Sequence, residues 1–438
     1  MVVVPCPEGV AMERRGTWLI LSVWALLSAG AAGTPAAEPA READPADWPQ
    51  FHGPRRDNLS SDTNLLKRWP PAGPRVIWRA EGIGDGYATV AIAAGRIYTA
   101  GNIDRRTVIT ALDLSGKRLW RAENGPAYRR TQPGARATPT IAAGKLYHLN
   151  GDGDVLCLDA RTGKRLWGVN ILKRFAGRNV QWGLCESLLV DGGKVFCCPG
   201  GKEVGLAALD AETGKTVWTC TDVGEKPGYV SPIVVAWKGL RQVVTVMSGS
   251  AVGVSAETGK LLWKYPHAVK YEANIVTPIH HEGHLALFGT WGRGATLLRL
   301  HVDGQACTVK EVWRTTELDN EHGGVVLVDG YLYGQADGDH KRPHWACLEL
   351  KTGKTTYSVK GVPGRSGSLT WADGMLYLLG DRGTVALVPP SPEGFRIVSR
   401  FQLPKQERGA SWAHPVVCGG RLYLRHGRFL YAYDVRAK

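Results

Sequence analysis

Eight short polar or aromatic clusters stand just ahead of apolar runs in this 438-residue chain, and they carry its candidate chemistry. They are Tyr87 with Thr89, Arg136 with Thr138, Glu186 with Ser187, Tyr229 with Ser231, Asn274 with Thr277, His322, Arg365 with Ser366, and Trp412 with His414. Arg136 and Arg365 suit carboxylates, Trp412 and Tyr229 suit stacking on a flat ring, and Glu186, His322 and His414 can exchange protons. Asn274 adds an amide that both donates and accepts. No nucleophile elbow, Ser-His-Asp order or phosphate-cradling glycine loop accompanies them, so no catalytic residue is assigned.

Other clusters resemble metal ligands and read better as turns. His280 and His284 have the H-x-x-x-H spacing that aligns two ligands on a helix, yet Gly283 between them marks a hairpin. N-G-D-G-D-V at 150–155 and Q-A-D-G-D-H at 335–340 are rich in calcium-type oxygens but fall between strands of one unit. No metal site is therefore expected. The chain has nine Cys, with no C-x-x-C-H haem motif and no paired C-x-x-C zinc pattern. The adjacent Cys197 and Cys198 fall in a strand, where neighbours point to opposite faces, and are expected as separate thiols.

What must position these residues is a repeat. The pattern A-L-D-x-x-(T/S)-G-K-x-x-W ends at Trp120, Trp167 and Trp218, recurs with a changed opening at Trp263, and is worn at Tyr357. With Trp78, Trp313 and Phe401, the aromatic at its end recurs every 42 to 51 residues. A second mark, a small Gly turn such as AAGRIY at Gly95 or CGGRLY at Gly420, also falls eight times. Each unit reads as four short strands, the size of a propeller blade. In the T-G-K turn, Asp113, Asp159 and Asp210 can accept turn amides while Gly116, Gly163 and Gly214 supply the positive φ. Trp78, Trp120, Trp167, Trp218, Trp263 and Trp313 then fill the wedge between neighbouring blades, each N–H requiring a partner.

The expected fold is all-β, an eight-bladed propeller of four-stranded blades. The chain ends in RFLYAYDV, which lacks a following T-G-K-x-x-W strand, and RVIWRA around Trp78 is such a strand without predecessors. Pairing them closes the ring and removes an open edge. First strands of propeller blades line the central channel, so the eight clusters converge on one mouth.

Residues 1–33 read as a signal peptide, with Arg14-Arg15 ahead of an apolar stretch and Met12 as an alternative start. Residues 34–47 read as a disordered Ala/Pro/Glu lead-in, and 48–438 as one propeller. The expectation is an exported protein, periplasmic or extracellular, monomeric, with no membrane span after leader removal. Its net charge of +14 suits an anionic polymer or an acidic envelope protein. No basic run interleaved with aromatics argues for nucleic acid.

These T-G-K-x-x-W units resemble the tryptophan-docking repeats of the pyrroloquinoline quinone (PQQ) enzyme-like propellers. DWPQFHGPRRDNLS, ESLLVDGGKVFCCPGGKEVGLAALDAETGKTVW and SWAHPVVCGGRLYLR are similar to exported planctomycete-type members of that group. The resemblance implies either of two functions, because the group holds quinoprotein alcohol dehydrogenases and the propeller lipoprotein of outer-membrane assembly. A dehydrogenase implies PQQ over an aromatic floor, calcium held by Glu and Asn oxygens, an Asp base, and cations for three carboxylates. That set cannot be placed on this sequence, and the chain lacks the enzymes' long insertions. The expectation is a non-catalytic binding or scaffold propeller of the envelope, with PQQ-dependent oxidation of alcohols or sugars at the channel mouth as the alternative.

Overall fold

The computed structural model describes residues 47–336, 343–405 and 410–437. The expected leader, all of the lead-in before Asp47 and most of Q-A-D-G-D-H lie outside them. Apolar residues alternate along short runs separated by Gly turns, which yields strands that bury both faces between neighbours. Among the described residues these strands form eight sheets of an eight-bladed β-propeller. The first blade runs outward from Ala91–Ala93 through Arg96–Ile103 and Arg106–Asp113 to Arg118–Pro126. The next six have inner strands Thr140–Ala142, Leu189–Asp191, Ile233–Trp237, Ile279–His281, Val325–Val328 and Gly367–Ala372. Apolar clusters sit in the wedges, as where Phe196, Ala208 and Trp218 of blade 3 meet Val243 and Val252 of blade 4.

Blade 8 takes three strands from the C-terminal end, Val416–Cys418, Arg421–His426 and Phe429–Asp434, and its outer strand from Arg75–Ala80. Trp78 lies opposite Ala432 in antiparallel register. The ring is closed by the N-terminal strand, as the two incomplete ends required. Arg425 locks this joint: it is 2% exposed and donates to the carbonyls of Gly84, Ala88 and Ala100 and to Thr99 Oγ1. A charged donor on several acceptors replaces the water these carbonyls would otherwise need.

The outer seams repeat one device. Asp210 Oδ1 accepts the Thr213 amide and hydroxyl, and Gly214 holds φ +67. A Cβ there would come within 2.5 Å of the Trp167 ring from the preceding blade. Glycine is thus required both for the turn and for the flat seat beneath the indole. The Trp167 N–H donates to Ala211 O at 2.9 Å, and Trp78, Trp120, Trp218 and Trp313 donate in the same way to Leu114, Ala160, Ala256 and Leu350. The register slips one residue before the Trp in these strands. This bulge turns the preceding aliphatic outward, and Leu119, Leu166, Val217 and Val312 are exposed.

Trp263 departs from the pattern. Its N–H donates to Gln242 Oε1 of its own blade at 2.6 Å, and its indole covers Gly253 on the adjacent strand. The following blade carries the hairpin Ala295–Asp303 to Ala306–Thr315, whose V-D-G-Q turn offers no T-G-K seat.

Candidate functional site

Three inner-strand hydroxyls form a relay between blades. The Thr89 amide donates to Thr138 Oγ1, the Thr138 amide to Ser187 Oγ and the Ser187 amide to Ser231 Oγ, at 2.9 to 3.1 Å. These partners of the candidate residues therefore bind the wall together. The residues beside them face a cavity of about 630 Å³ on the axis, within the range of small-molecule sites.

The floor of this cup comes from residues 48–60, which cross the channel. Trp48 exchanges backbone hydrogen bonds with Ile92 of blade 1, and Pro49 O accepts from Ile141 of blade 2. Arg56 Nη1 donates to Ser187 O and Pro232 O at 3.0 and 2.9 Å, Asn58 engages Leu369 and Thr370 of blade 7, and Ser60 reaches Val417 of blade 8. Leu59–Ser60 adds a parallel fifth strand to blade 7. Phe51 and His52 face the cup from this segment.

Six of the eight candidate residues line the cup: Arg136, Tyr229, His322, Arg365, Trp412 and His414. Glu186 and Asn274 do not. Glu186 is 4% exposed and its Oε1 accepts the Cys198 amide at 2.8 Å. Burial pushes its carboxyl up to about 7, against the smaller pull of those hydrogen bonds and Arg56. Asn274 is fully buried, donating to Met247 O and His267 O. Both serve the wall, because the lead-in to a strand alternates direction just as the strand does.

Three of the six are committed to neighbours. His414 Nε2 lies 2.8 Å from His322 O, and a carbonyl only accepts, so Nε2 carries the proton. Nδ1 then accepts from His52 Nε2 at 3.0 Å or Asn58 Nδ2 at 3.3 Å. Burial holds His414 down to about 4 and places His52 well below its usual value. His414 thus ties floor to wall, and burial favours its neutral form. Arg136 donates to the carbonyls of Thr131, Gln132 and Gly134 and lies over the rings of Tyr87 and Tyr128. Trp412 stacks on His322 with ring centres 4.3 Å apart and planes 6° apart, and contacts Tyr87 at 4.7 Å.

Trp182, Tyr271, Trp291, Glu321 and Asp381 also line the cup, and the sequence reading missed them. Trp291 and Asp381 lie in hairpins joining second to third strands, at 289–294 and 381–383. In a four-stranded meander those hairpins reach the same mouth as the loops between blades. Counting both loop classes would have found them. The floor left no repeat signal, since residues 48–60 precede the first repeat; they stood out only as the stretch DWPQFHGPRRDNLS of the family resemblance, with no role attached.

The acids do not assemble a metal cage: among the described residues no group of three His, Cys, Asp or Glu comes together to hold an ion. Asn150 Oδ1 accepts the amides of Asp152 and Asp154, so N-G-D-G-D-V is a closed turn. Gly283 turns the hairpin from His280 and His281 to His284. Cys197 and Cys198 are free thiols in different interblade clusters. Glu186, the buried acid nearest in sequence to the cup lining, gives Oε1 to the Cys198 amide, and its Oε2 is buried without a hydrogen bond. Among the described residues no ligand set for the calcium of a tricarboxylate quinone comes together.

The family model described as outer membrane protein assembly factor BamB matches residues 104–359. Quinoprotein alcohol dehydrogenase PedH of Pseudomonas putida is 31% identical over 145 residues, 31% of this chain and 23% of that protein. Outer membrane protein assembly factor BamB of Shewanella oneidensis is 29% identical over 138 residues, 30% of this chain and 32% of that protein. Each match spans under a third of the curated relative's length. The BamB crystal structure from Moraxella catarrhalis has a TM-score of 0.56 at 15% identity, covering 82% of this chain and 99% of that one. Quinohemoprotein alcohol dehydrogenase from Comamonas testosteroni has a TM-score of 0.65 at 15% identity, covering 90% of this chain and 81% of that one. These two likenesses show the fold.

Proposed function

The chain belongs to the outer membrane protein assembly factor BamB family, and from that premise we propose that it is an exported, non-catalytic binding propeller of the cell envelope. One observation carries the reading: of the three groups singled out for proton exchange, Glu186 and His414 are held by the wall, and His322 is stacked on Trp412 beside Glu321. Glu186 is turned onto Cys198, and both nitrogens of His414 are engaged. What the cup still presents is recognition chemistry, namely aromatic rings, two arginines and two acids. Outer seams and a closed ring give a rigid frame for such a cup, and for an acidic envelope partner on the loop faces.

The test has two arms. Full-length precursor expressed in a bacterium should appear in the periplasmic or extracellular fraction with a mature terminus near Thr34. Purified protein with added PQQ and calcium should not reduce a dye with alcohols or aldoses above the cofactor alone. Turnover well above that background would replace this reading with a quinone-dependent oxidoreductase, which the likeness to PedH favours. Retention of the whole precursor in the cytoplasm would remove the envelope.

A further inference from the structure

The cup has two unlike walls. On the side of blades 3 to 5 stand Trp182, Tyr229, Tyr271 and Trp291 with Ile275 and Val276. Trp182 meets Tyr229 edge-on at 5.6 Å, and Tyr271 meets Trp291 edge-on at 5.4 Å. On the side of blades 6 and 7 stand Glu321, His322, Arg365, Ser366 and Asp381.

Tyr271 and Trp291 are held at a cost. Their φ angles are +61° and +51°, in the left-handed region that large side chains rarely enter. Each such residue costs on the order of 1 kcal/mol or more and persists where its surroundings impose it. Tyr271 nevertheless remains 55% exposed, so burial in the core does not account for its position. Thr277 adds a second observation: it lines the cup, is 5% exposed, and its hydroxyl has no hydrogen-bond partner. A buried hydroxyl without a partner is uncommon and marks a place where a ligand can supply one.

Charge then selects among ligands. The cup presents Arg136 and Arg365 against Glu321 and Asp381, and three Arg136 hydrogen bonds already go to main-chain carbonyls. A tricarboxylate would meet two guanidiniums offset by two carboxylates, so the cup offers its three negative charges no net positive field. A neutral ring with an apolar face and hydroxyl edges matches both walls: aromatic surface for its C–H face, carboxylates and Thr277 for its hydroxyls. We propose that the cup binds a neutral oligosaccharide, stacked on Tyr271 and Trp291, with its hydroxyls directed to Glu321 and Asp381. This deepens the reading of the chain as a binding propeller and rests on it for the absence of turnover.

Isothermal titration of the mature protein with cellotetraose, maltotetraose and chitotetraose tests the proposal, with PQQ plus calcium and an acidic peptide in parallel. Binding of at least one sugar is expected, weakened tenfold or more in Tyr271→Gly. Glycine accepts the left-handed backbone, so this variant should melt no lower than the parent while losing the ring. Asp381→Asn should weaken binding less. No heat or fluorescence change with any neutral sugar overturns the proposal, as does PQQ or peptide binding that Tyr271→Gly abolishes. A lower melting temperature in Tyr271→Gly with unchanged sugar affinity would make the ring structural and also overturn it. Sugar binding accompanied by dye reduction would sink the non-catalytic reading and leave the ligand assignment standing.

Discussion

The outer seams and the axial cup lie at opposite ends of the same sheets, and they are built by opposite rules. At the seam one solution recurs: an indole on a T-G-K or S-G-K glycine, its N–H on the carbonyl one residue past the Asp, Ser or Glu that opens the turn. At the axis nothing recurs except the hydroxyls that tie Thr89, Thr138, Ser187 and Ser231 together. Wedges between blades are nearly equivalent, so one packing answer serves the five at Trp78, Trp120, Trp167, Trp218 and Trp313. The cup is shared by all blades at once, so each contributes a different group. Stability is therefore written in the repeats and recognition in the departures from them.

Removing both regions' common anchor should give the largest effect. A chain beginning at Ala80 lacks the floor at 48–60 and the strand Arg75–Ala80 that completes blade 8. It should fail to fold or should associate through the exposed edge of Phe429–Asp434. Circular dichroism and size-exclusion chromatography check this, and a monomer with an unchanged melt would break the idea that floor and closure hold the ring.

Within the seam, Trp218→Ala should cost about 3 to 5 kcal/mol, as truncations of large buried aromatics do. Trp218 is only 8% exposed and joins the cluster between blades 3 and 4. Urea unfolding reads the loss, and the cup's ligand affinity should stay the same in the folded fraction. A seam variant that weakens ligand binding while remaining folded would erase the division between the two regions.

The axis should respond to acid in a way the seam does not. Free histidine titrates near 6.5, whereas burial lowers His414 to about 4. Between those values the unfolded chain takes up the proton first, so stability is full above pH 6.5 and falls as pH drops toward 4. The loss reaches up to ~3 kcal/mol for this group, at 1.36 kcal/mol per unit. His52 faces it from the floor, with Arg56 acting on His52 in turn, and His322 faces it from the entry to blade 6. Glu186 works the other way, because its raised carboxyl binds a proton more readily when folded. His148 and His267, both held to about 4 by burial, add to the acid loss elsewhere. His414→Gln should therefore lose less stability than the parent between pH 7 and 5 in denaturant titrations. An identical pH slope in the variant would remove His414 as the titrating tie.

How much of this was legible follows the same division. Eight blades, the seam and the closure of Trp78 onto RFLYAYDV are local or periodic, and the strands that carry them announce themselves at each repeat. Placement at the cup was legible for Arg136, Tyr229, His322, Arg365, Trp412 and His414, because a position just before an inner strand fixes the mouth. It was not legible for Glu186 or Asn274, where side-chain direction decided. Arg56 was invisible for another reason: its carbonyl partners lie 131 to 176 residues away, and no spacing in the sequence encodes that meeting.

The smallest effect tests the indole seam that departs from the rule, at Trp263. Trp218→Phe removes an N–H from the Ala256 carbonyl at 3.2 Å, a loss of about 1 kcal/mol. Trp263→Phe removes an N–H from Gln242 Oε1 at 2.6 Å, and Gln242 is fully buried. Its remaining amide contact is a 3.7 Å donation to Cys307 Sγ, a weak acceptor. An orphaned side-chain oxygen in that setting costs about 1 to 3 kcal/mol, so Trp263→Phe should be the more damaging of two chemically identical changes. Gln242→Leu in the Trp263→Phe background should then recover part of the loss by removing the unpaired amide. Equal costs for the two Phe variants would mean that the indole ring, and not its N–H, sets the strength of every seam, including the one without a glycine seat in the next blade.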